Sequence, residues 1–180
     1  MRVELRRPSL SDEQEFLALV RRNRRFHRPW VYPPGTAEAF RAYLTRLRAP
    51  SRAGFLVCRK SDGAIVGVVG LNEIVRSSLQ SAYLGYYGFQ PHAAQGYMSE
   101  GIRSLLYEAF REMKLHRIEA NIQPGNERSR TLVMRLGFRL EGYSPSYLKI
   151  GGRWRDHERW ALLGKEWQRH FGSSQESTDT

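Results

Sequence analysis

The sequence predicts an α/β sandwich built as one domain around a single central mixed sheet. Three observations carry that expectation. Segments with the twofold alternation of strands interleave with segments of helical period, in the order β-α-α-β-β-β-α-β-α-β-β. The chain has 180 residues, enough for one core without staples. No internal repeat and no Pro/Gly/Ser-rich linker divides it. The domain is expected over residues 1–170, with a polar, disordered tail over 171–180.

The elements follow in chain order. Residues 3–6 read as a short strand ended by Pro8. Ser11 or Asp12 caps a helix expected over 12–25. The stretch Pro29-Trp30-Val31-Tyr32-Pro33-Pro34-Gly35 is a loop, and Thr36 caps a second helix that places Phe40, Tyr43, Leu44 and Leu47 on one face. Strands at 55–59 and 64–75 flank Ser61-Asp62-Gly63, a hairpin signal, and a Tyr-rich strand follows at 82–89. Glycines at 67, 70, 85 and 88 weaken these strands and point to bulges or to close approach by another backbone. Ile102, Leu105, Leu106, Ala109, Phe110 and Met113 make the apolar stripe of a helix over 98–113. In the strand at 117–123, Ile118, Ala120 and Ile122 alternate with Glu119, Asn121 and Gln123. A short helix from Asn126 stops at Gly137, and strands at 138–150 and 154–163 form a last hairpin around Gly151-Gly152.

Composition excludes some classes. The longest apolar runs are far too short to span a bilayer, and the first residues carry no signal-like apolar segment, so the cytoplasm is the expected compartment and no membrane partner is expected. The single Cys58 sits in an apolar strand and reads as a buried structural thiol. The net charge of +11 permits contact with a polyanion, the ribosome included, and an arginine-biased composition accounts for it equally well. The oligomeric state is left open, a homodimer included.

Three stretches carry chemistry. Gln90-Pro91-His92-Ala93-Ala94-Gln95-Gly96-Tyr97-Met98 lies between a strand and the amphipathic helix. Its small residues allow close backbone approach, and the free amides at a helix start bind phosphate without a basic side chain. Pro124-Gly125-Asn126-Glu127-Arg128-Ser129 precedes Leu136-Gly137-Phe138, a helix start and stop that also presents Asn and Ser. The last hairpin contains Tyr147 and Trp154-Arg155-Asp156-His157.

Taken in order, these blocks resemble the GNAT acetyltransferases, and within them the ribosomal-protein-alanine N-acetyltransferase branch of the RimJ/RimL type. The early block ending in Pro29-Trp30, the strand Tyr83-Leu84-Gly85-Tyr86 and the block Leu115-His116-Arg117-Ile118 fit the same branch. The resemblance implies acetyl-CoA as cosubstrate, no metal, and a sheet splayed between its fourth and fifth strands to admit the pantetheine arm. It implies that Tyr87, Gly88 and Phe89 pair with that arm, one of their amides polarising the thioester carbonyl. Ala94, Gln95, Gly96, Tyr97 and Met98 hold the pyrophosphate, and Asn126 and Ser129 line the site.

Two positions depart from the family pattern. Ala93 stands where a Gln or Arg usually opens the phosphate signature, and Val133 stands where many members carry a tyrosine acid. Ser129 is the candidate replacement, as in the RimL-like branch, because its hydroxyl can hydrogen-bond a leaving thiolate. A base position of some N-terminal acetyltransferases falls on Asn121, which takes no proton, leaving Glu73 and Glu119 as candidates, with His92 beside the cofactor loop as a third. An α-amine, with a pKa of about 7.7–8.0, also reacts without a dedicated base. Trp30, Tyr147 and Trp154 are the expected acceptor-side residues. The expected reaction is direct attack of a protein N-terminal α-amine on acetyl-CoA. The alternatives are a small-molecule amine, such as an antibiotic or an aminoacyl nucleotide, and a non-catalytic GNAT-like module that binds ribosomes or RNA.

Overall fold

The computed structural model describes residues 1–171. Seven strands form one sheet: β1 (Val3–Arg6), β2 (Ala53–Arg59), β3 (Ile65–Val75), β4 (Ser81–Gly88), β5 (Arg117–Ile122), β6 (Arg139–Ile150) and β7 (Arg153–Leu163), in the order β1-β2-β3-β4-β5-β7-β6. Every neighbouring pair is antiparallel except β4 and β5. A parallel pair needs a crossover, and α4 (Tyr97–Tyr107) supplies it.

Two apolar layers cover the sheet. On one face lie α4, α5 (Glu127–Arg135) and α6 (Gly164–Phe171), which bury Ile102, Leu105, Val133 and Trp167 against Val57, Val69, Leu84 and Ile118. On the other lie α1 (Glu13–Arg22), α2 (Arg24–His27) and α3 (Ala37–Arg46), which bury Phe16, Val20 and Phe40 against Leu56, Val68 and Phe89. The alternation expected in β5 appears directly: Ile118, Ala120 and Ile122 are buried, and their odd-numbered neighbours face the opposite side. Thr36 and Asn126 cap their helices as the sequence predicts, accepting from the amides of Ala39 and Ser129, and Gly137 takes the left-handed turn after α5.

The structure departs from the sequence reading in four places. The helix expected over 12–25 breaks at Asn23, whose buried carboxamide donates to the Leu19 carbonyl and accepts from the Gln90 amide. A straight helix would not turn both ends of that side chain to use. The helix expected to run to Met113 ends at Tyr107 and continues as one π turn over Glu108–Glu112. In β3 a bulge between Asn72 and Val75 puts Glu73 in a left-handed conformation (φ 47°). The sequence reading lacked α6 altogether; only Trp167 and Phe171 mark its apolar side, and Trp167 packs on Phe110. No helix among the described residues is long and apolar enough to cross a membrane. Of the expected tail, only Phe171 falls within the description, at the end of α6; 172–180 lie outside it.

Candidate active site

The sheet opens at its one parallel seam. β4 and β5 pair only at Ser81–Arg117, Ala82–Ile118 and Tyr83–Glu119. Beyond that point β4 stays bonded to β3 and β5 to β7, so residues 84–88 and 120–122 face one another across a gap with no partner. The Phe89 amide donates to the Val66 carbonyl at 2.9 Å. The antiparallel alternation therefore points the Tyr87 amide at β3 and leaves those of Tyr86 and Gly88 facing the gap. Of Tyr87, Gly88 and Phe89, Gly88 is the one whose amide a ligand in the gap can reach. The Tyr87 and Phe89 side chains turn into the layer under α1.

Two buried polar residues brace this end of β4. Asn23 holds the Gln90 amide at 2.7 Å, and His27 Nε2 lies 2.9 Å from the Gly88 carbonyl. A carbonyl only accepts, so Nε2 carries the proton and the buried Nδ1 is left bare. Burial holds the His27 pKa below its usual value, keeping the ring neutral.

At the start of α4, Gly96 is a left-handed N-cap (φ 87°), preceded by Ala94 at φ 62°. The first helical hydrogen bond runs from Glu100 to the Gly96 carbonyl, so the amides of Tyr97, Met98 and Ser99 have no partner inside the helix. Arg2 props the loop from behind, donating to the Gln95 carbonyl at 2.9 Å, pairing with Glu100 and lying over the Tyr97 ring. The Met98 side chain turns inward and fills the space that Gly67 and Gly88 leave on the sheet. Gly67 and Gly88 are thus explained by close approach of the helix, whereas Gly70 faces the Ala53 carbonyl and Gly85 the Asn72 side chain; the Met98 amide stays at the anion-binding end.

Across the gap, Asn126 Oδ1 accepts from the Ser129 amide at 3.3 Å, and Ser129 Oγ lies 2.5 Å from the Tyr86 hydroxyl. Gln123, at the end of β5, donates to the Trp30 carbonyl at 3.1 Å, and the Trp30 ring lies beside Gly125. The structure therefore brings Trp30, Asn126 and Ser129 to one wall.

On the sheet face that carries Tyr83 and Tyr87, a bulge between Ser144 and Leu148 frees Tyr147 from the β6–β7 ladder. Its hydroxyl reaches that of Tyr83 at 3.4 Å, and this contact together with burial pushes the Tyr83 pKa up to about 12. Glu119 is held on one oxygen by Arg117 (2.8 Å) and on the other by Arg159 (2.9 Å). Burial works to raise its pKa, and the two guanidiniums outweigh that, leaving the carboxyl below its ordinary value. Beside Arg159 in the register, Asn121 Oδ1 is buried without a partner. Glu73 stands apart on its bulge, mostly exposed and paired with Arg52 at 2.9 Å. Trp154 is 63% exposed near the hairpin tip, away from the Tyr147 cluster. Sequence reasoning had not picked out Tyr86, Asn23, His27 or Arg159 for the site. Among the described residues no group of three or more His, Cys, Asp or Glu is placed to hold a metal ion.

A sheet parted at one parallel seam, beside a helix that begins with free amides, leaves room for an extended arm ending in a phosphate. Residues 2–139 match the acetyltransferase (GNAT) domain. The chain belongs to the GNAT acetyltransferase family. Within that family it falls in the RimJ/RimL-like branch. It is 35% identical over 153 residues to the [ribosomal protein uS5]-alanine N-acetyltransferase of Escherichia coli (strain K12), covering 81% of this chain and 79% of that one. It is 33% identical over 165 residues to the probable N-acetyltransferase YjcK of Bacillus subtilis (strain 168), covering 87% and 91%. The structure of Mycobacterium smegmatis RimJ in complex with CoA-disulfide superposes with a TM-score of 0.84 at 27% identity, covering 91% of this chain and 83% of that one. The GNAT chain is thus an N-acetyltransferase that uses acetyl-CoA. Its gap and its α4 amides suit an extended amide-bearing arm that ends in a pyrophosphate.

Proposed function

We propose that this GNAT enzyme acetylates a protein N-terminal α-amine of the ribosomal-protein type, in the cytoplasm, by direct attack of the amine on acetyl-CoA. The observation that carries the reading is the charge of the acceptor face. Its carboxylate, Glu119, is already matched by Arg117 and Arg159. A face so neutralised gives a polyamine no run of free carboxylates, whereas an N-terminus brings one amine followed by a neutral peptide. Trp30 and Tyr147 offer such a peptide aromatic groups to pack against. The resemblance to a uS5-alanine acetyltransferase supports the same acceptor.

In this reading Gly88 N–H polarises the thioester carbonyl, the amides from Ala94 to Met98, in the loop and first turn of α4, hold the pyrophosphate, Asn126 orders the start of α5, and Ser129 faces the departing sulfur. Both Glu119 oxygens are engaged by guanidiniums, and Glu73 lies out on its bulge. The amine, with a pKa of about 7.7–8.0, reacts as the free base and gives its second proton to solvent.

The test is acetyl-CoA consumption with peptides beginning in Ala or Ser, the same peptides blocked at the N-terminus, spermidine, and small amines including aminoglycosides and aminoacyl nucleotides. Turnover confined to the unblocked peptides is the expected result. Preference for a small amine would move the acceptor to that class. Absence of acetyl-CoA binding by calorimetry would leave a non-catalytic module.

A further inference from the structure

We propose that Tyr86 is a positioning residue that donates its hydroxyl proton to Ser129 Oγ and so aims the Ser129 proton into the gap, at the departing sulfur. The inference rests on the reading of Ser129 above and adds the group that sets its direction. Tyr86 comes from β4 and Ser129 from α5, so their 2.5 Å contact ties together the elements on either side of the gap.

Two hydroxyls at that distance share one hydrogen bond, and its direction decides what the second proton does. Were Ser129 to donate to Tyr86, the phenolic proton would have only the Ser129 carbonyl, at 3.4 Å. That is beyond the usual range for O–H···O bonds. Were Tyr86 to donate, the phenol, the more acidic hydroxyl, would give to the better acceptor, an alkyl oxygen, and the Ser129 proton would be free. Accepting a hydrogen bond also polarises the Ser129 O–H and makes it a stronger donor. The Tyr86 ring is packed against the core under α4 and α5, and burial lifts its pKa to about 12. The hydroxyl therefore stays protonated near neutral pH. The Ser129 backbone is fixed as well, through Asn126.

No proton needs to leave the pair. As the tetrahedral intermediate collapses, the C–S bond breaks and its electron pair goes to sulfur. Ser129 stabilises that charge by hydrogen bonding. The thiolate then takes a proton from solvent, matching the one that the amine released.

The experiment is a kinetic cycle on the intact enzyme with its best acceptor: wild type, Tyr86→Phe, Ser129→Ala and the double variant. Tyr86→Phe keeps the ring and removes only the hydroxyl. Each single variant is expected to lose about tenfold in kcat, the scale of one hydrogen bond to a developing charge, with KM for acetyl-CoA within about twofold. The double variant is expected to be no slower than the slower single one. Inhibition by the product CoA, followed against pH, reports the pKa of the bound thiol. Both single variants should raise that pKa by a similar amount, a shift that mere loss of packing does not produce. A Tyr86→Phe enzyme with wild-type kcat, or losses that multiply in the double variant, would overturn the inference while leaving the acetyltransferase reading intact. A wild type that acetylates no α-amine would instead remove the reading on which the inference rests.

Discussion

Gly67 ties the sheet to the cofactor loop, and Gly67→Ala is the sharpest test of that link. A Cβ there would fall 2.8 Å from the Tyr87 carbonyl oxygen, 3.1 Å from Met98 Cε, and in direct clash with Met98 Sδ. The thioether can swing aside. The carbonyl cannot, because it belongs to the ladder between β3 and β4. Overpacking of this kind costs about 1–3 kcal/mol. For a chain of this size each kcal/mol moves Tm by about 2–4 °C, so a fall of about 2–12 °C is expected in differential scanning fluorimetry. Displacing Met98 also displaces the first turn of α4, whose free amides form the proposed pyrophosphate seat. KM for acetyl-CoA should therefore rise about threefold or more. Gly142→Ala is the control: nothing lies within 4 Å of its Cβ position, and the change should stay within about 0.5 kcal/mol. If Gly67→Ala behaves like Gly142→Ala in both Tm and KM, the argument that these glycines exist to seat Met98 is refuted.

Three other outcomes follow from the site. Glu119→Gln should lower stability by about 1–3 kcal/mol, because Arg117 and Arg159 lose a charged partner, while kcat stays within about threefold; a loss of a hundredfold would reinstate Glu119 as the base. His27 and His157 both have pKa values held low by burial, so the unfolded chain binds protons that the folded one refuses. Stability should be full above about pH 6.5 and fall as the pH drops below that value, and urea unfolding between pH 7.5 and 5.5 should show a smaller fall for His27→Gln; a flat profile in the wild type would contradict the assignment. Asn126→Ala should cost about 1 kcal/mol through loss of the α5 cap and should also weaken turnover, since Ser129 loses the acceptor for its amide; loss of stability with unchanged kcat would separate the cap from the site.

What could be read from the sequence was what neighbouring residues decide. The alternation in β5, the Asn126 cap, the left-handed Gly137 and the hairpin at Gly63 are all local, set by steric or hydrogen-bonding preferences within a few residues. The parted seam between β4 and β5 was legible only through resemblance, because no periodicity records which strands pair. Side-chain contacts between distant segments were invisible. Asn23 meets Gln90, His27 meets Gly88 and Tyr86 meets Ser129, each pair more than 40 residues apart in the chain. Tyr86 in particular looked like strand packing, since tyrosines favour strands for that reason alone. Glu119 shows the opposite limit: its position on the strand face was readable, and Arg117 lies only two residues before it on β5, but Arg159, which occupies its other oxygen, arrives from the neighbouring strand β7.

The braces around the gap share one physical reason. A sheet parted at its centre leaves backbone amides and carbonyls without partners, and hydrophobic packing would close such a seam if nothing held it. Each wall here is fixed by a polar contact from outside the sheet. Asn23 and His27 hold the end of β4, Gln123 ties the end of β5 to the Trp30 carbonyl, and Tyr86 and Ser129 link strand to helix. Because these groups are bonded to one another, closing the seam would break them and leave buried polar atoms unpaired, at about 1–3 kcal/mol each. The gap is therefore preorganised, and a ligand's amide groups can complete its hydrogen bonds without the enzyme having to open first. Acetyl-CoA accordingly should bind without large rearrangement of β4 or β5, and the ordering cost of catalysis falls on the acceptor side, where the Trp30 loop and the β6–β7 hairpin meet through Tyr32 and Gly151.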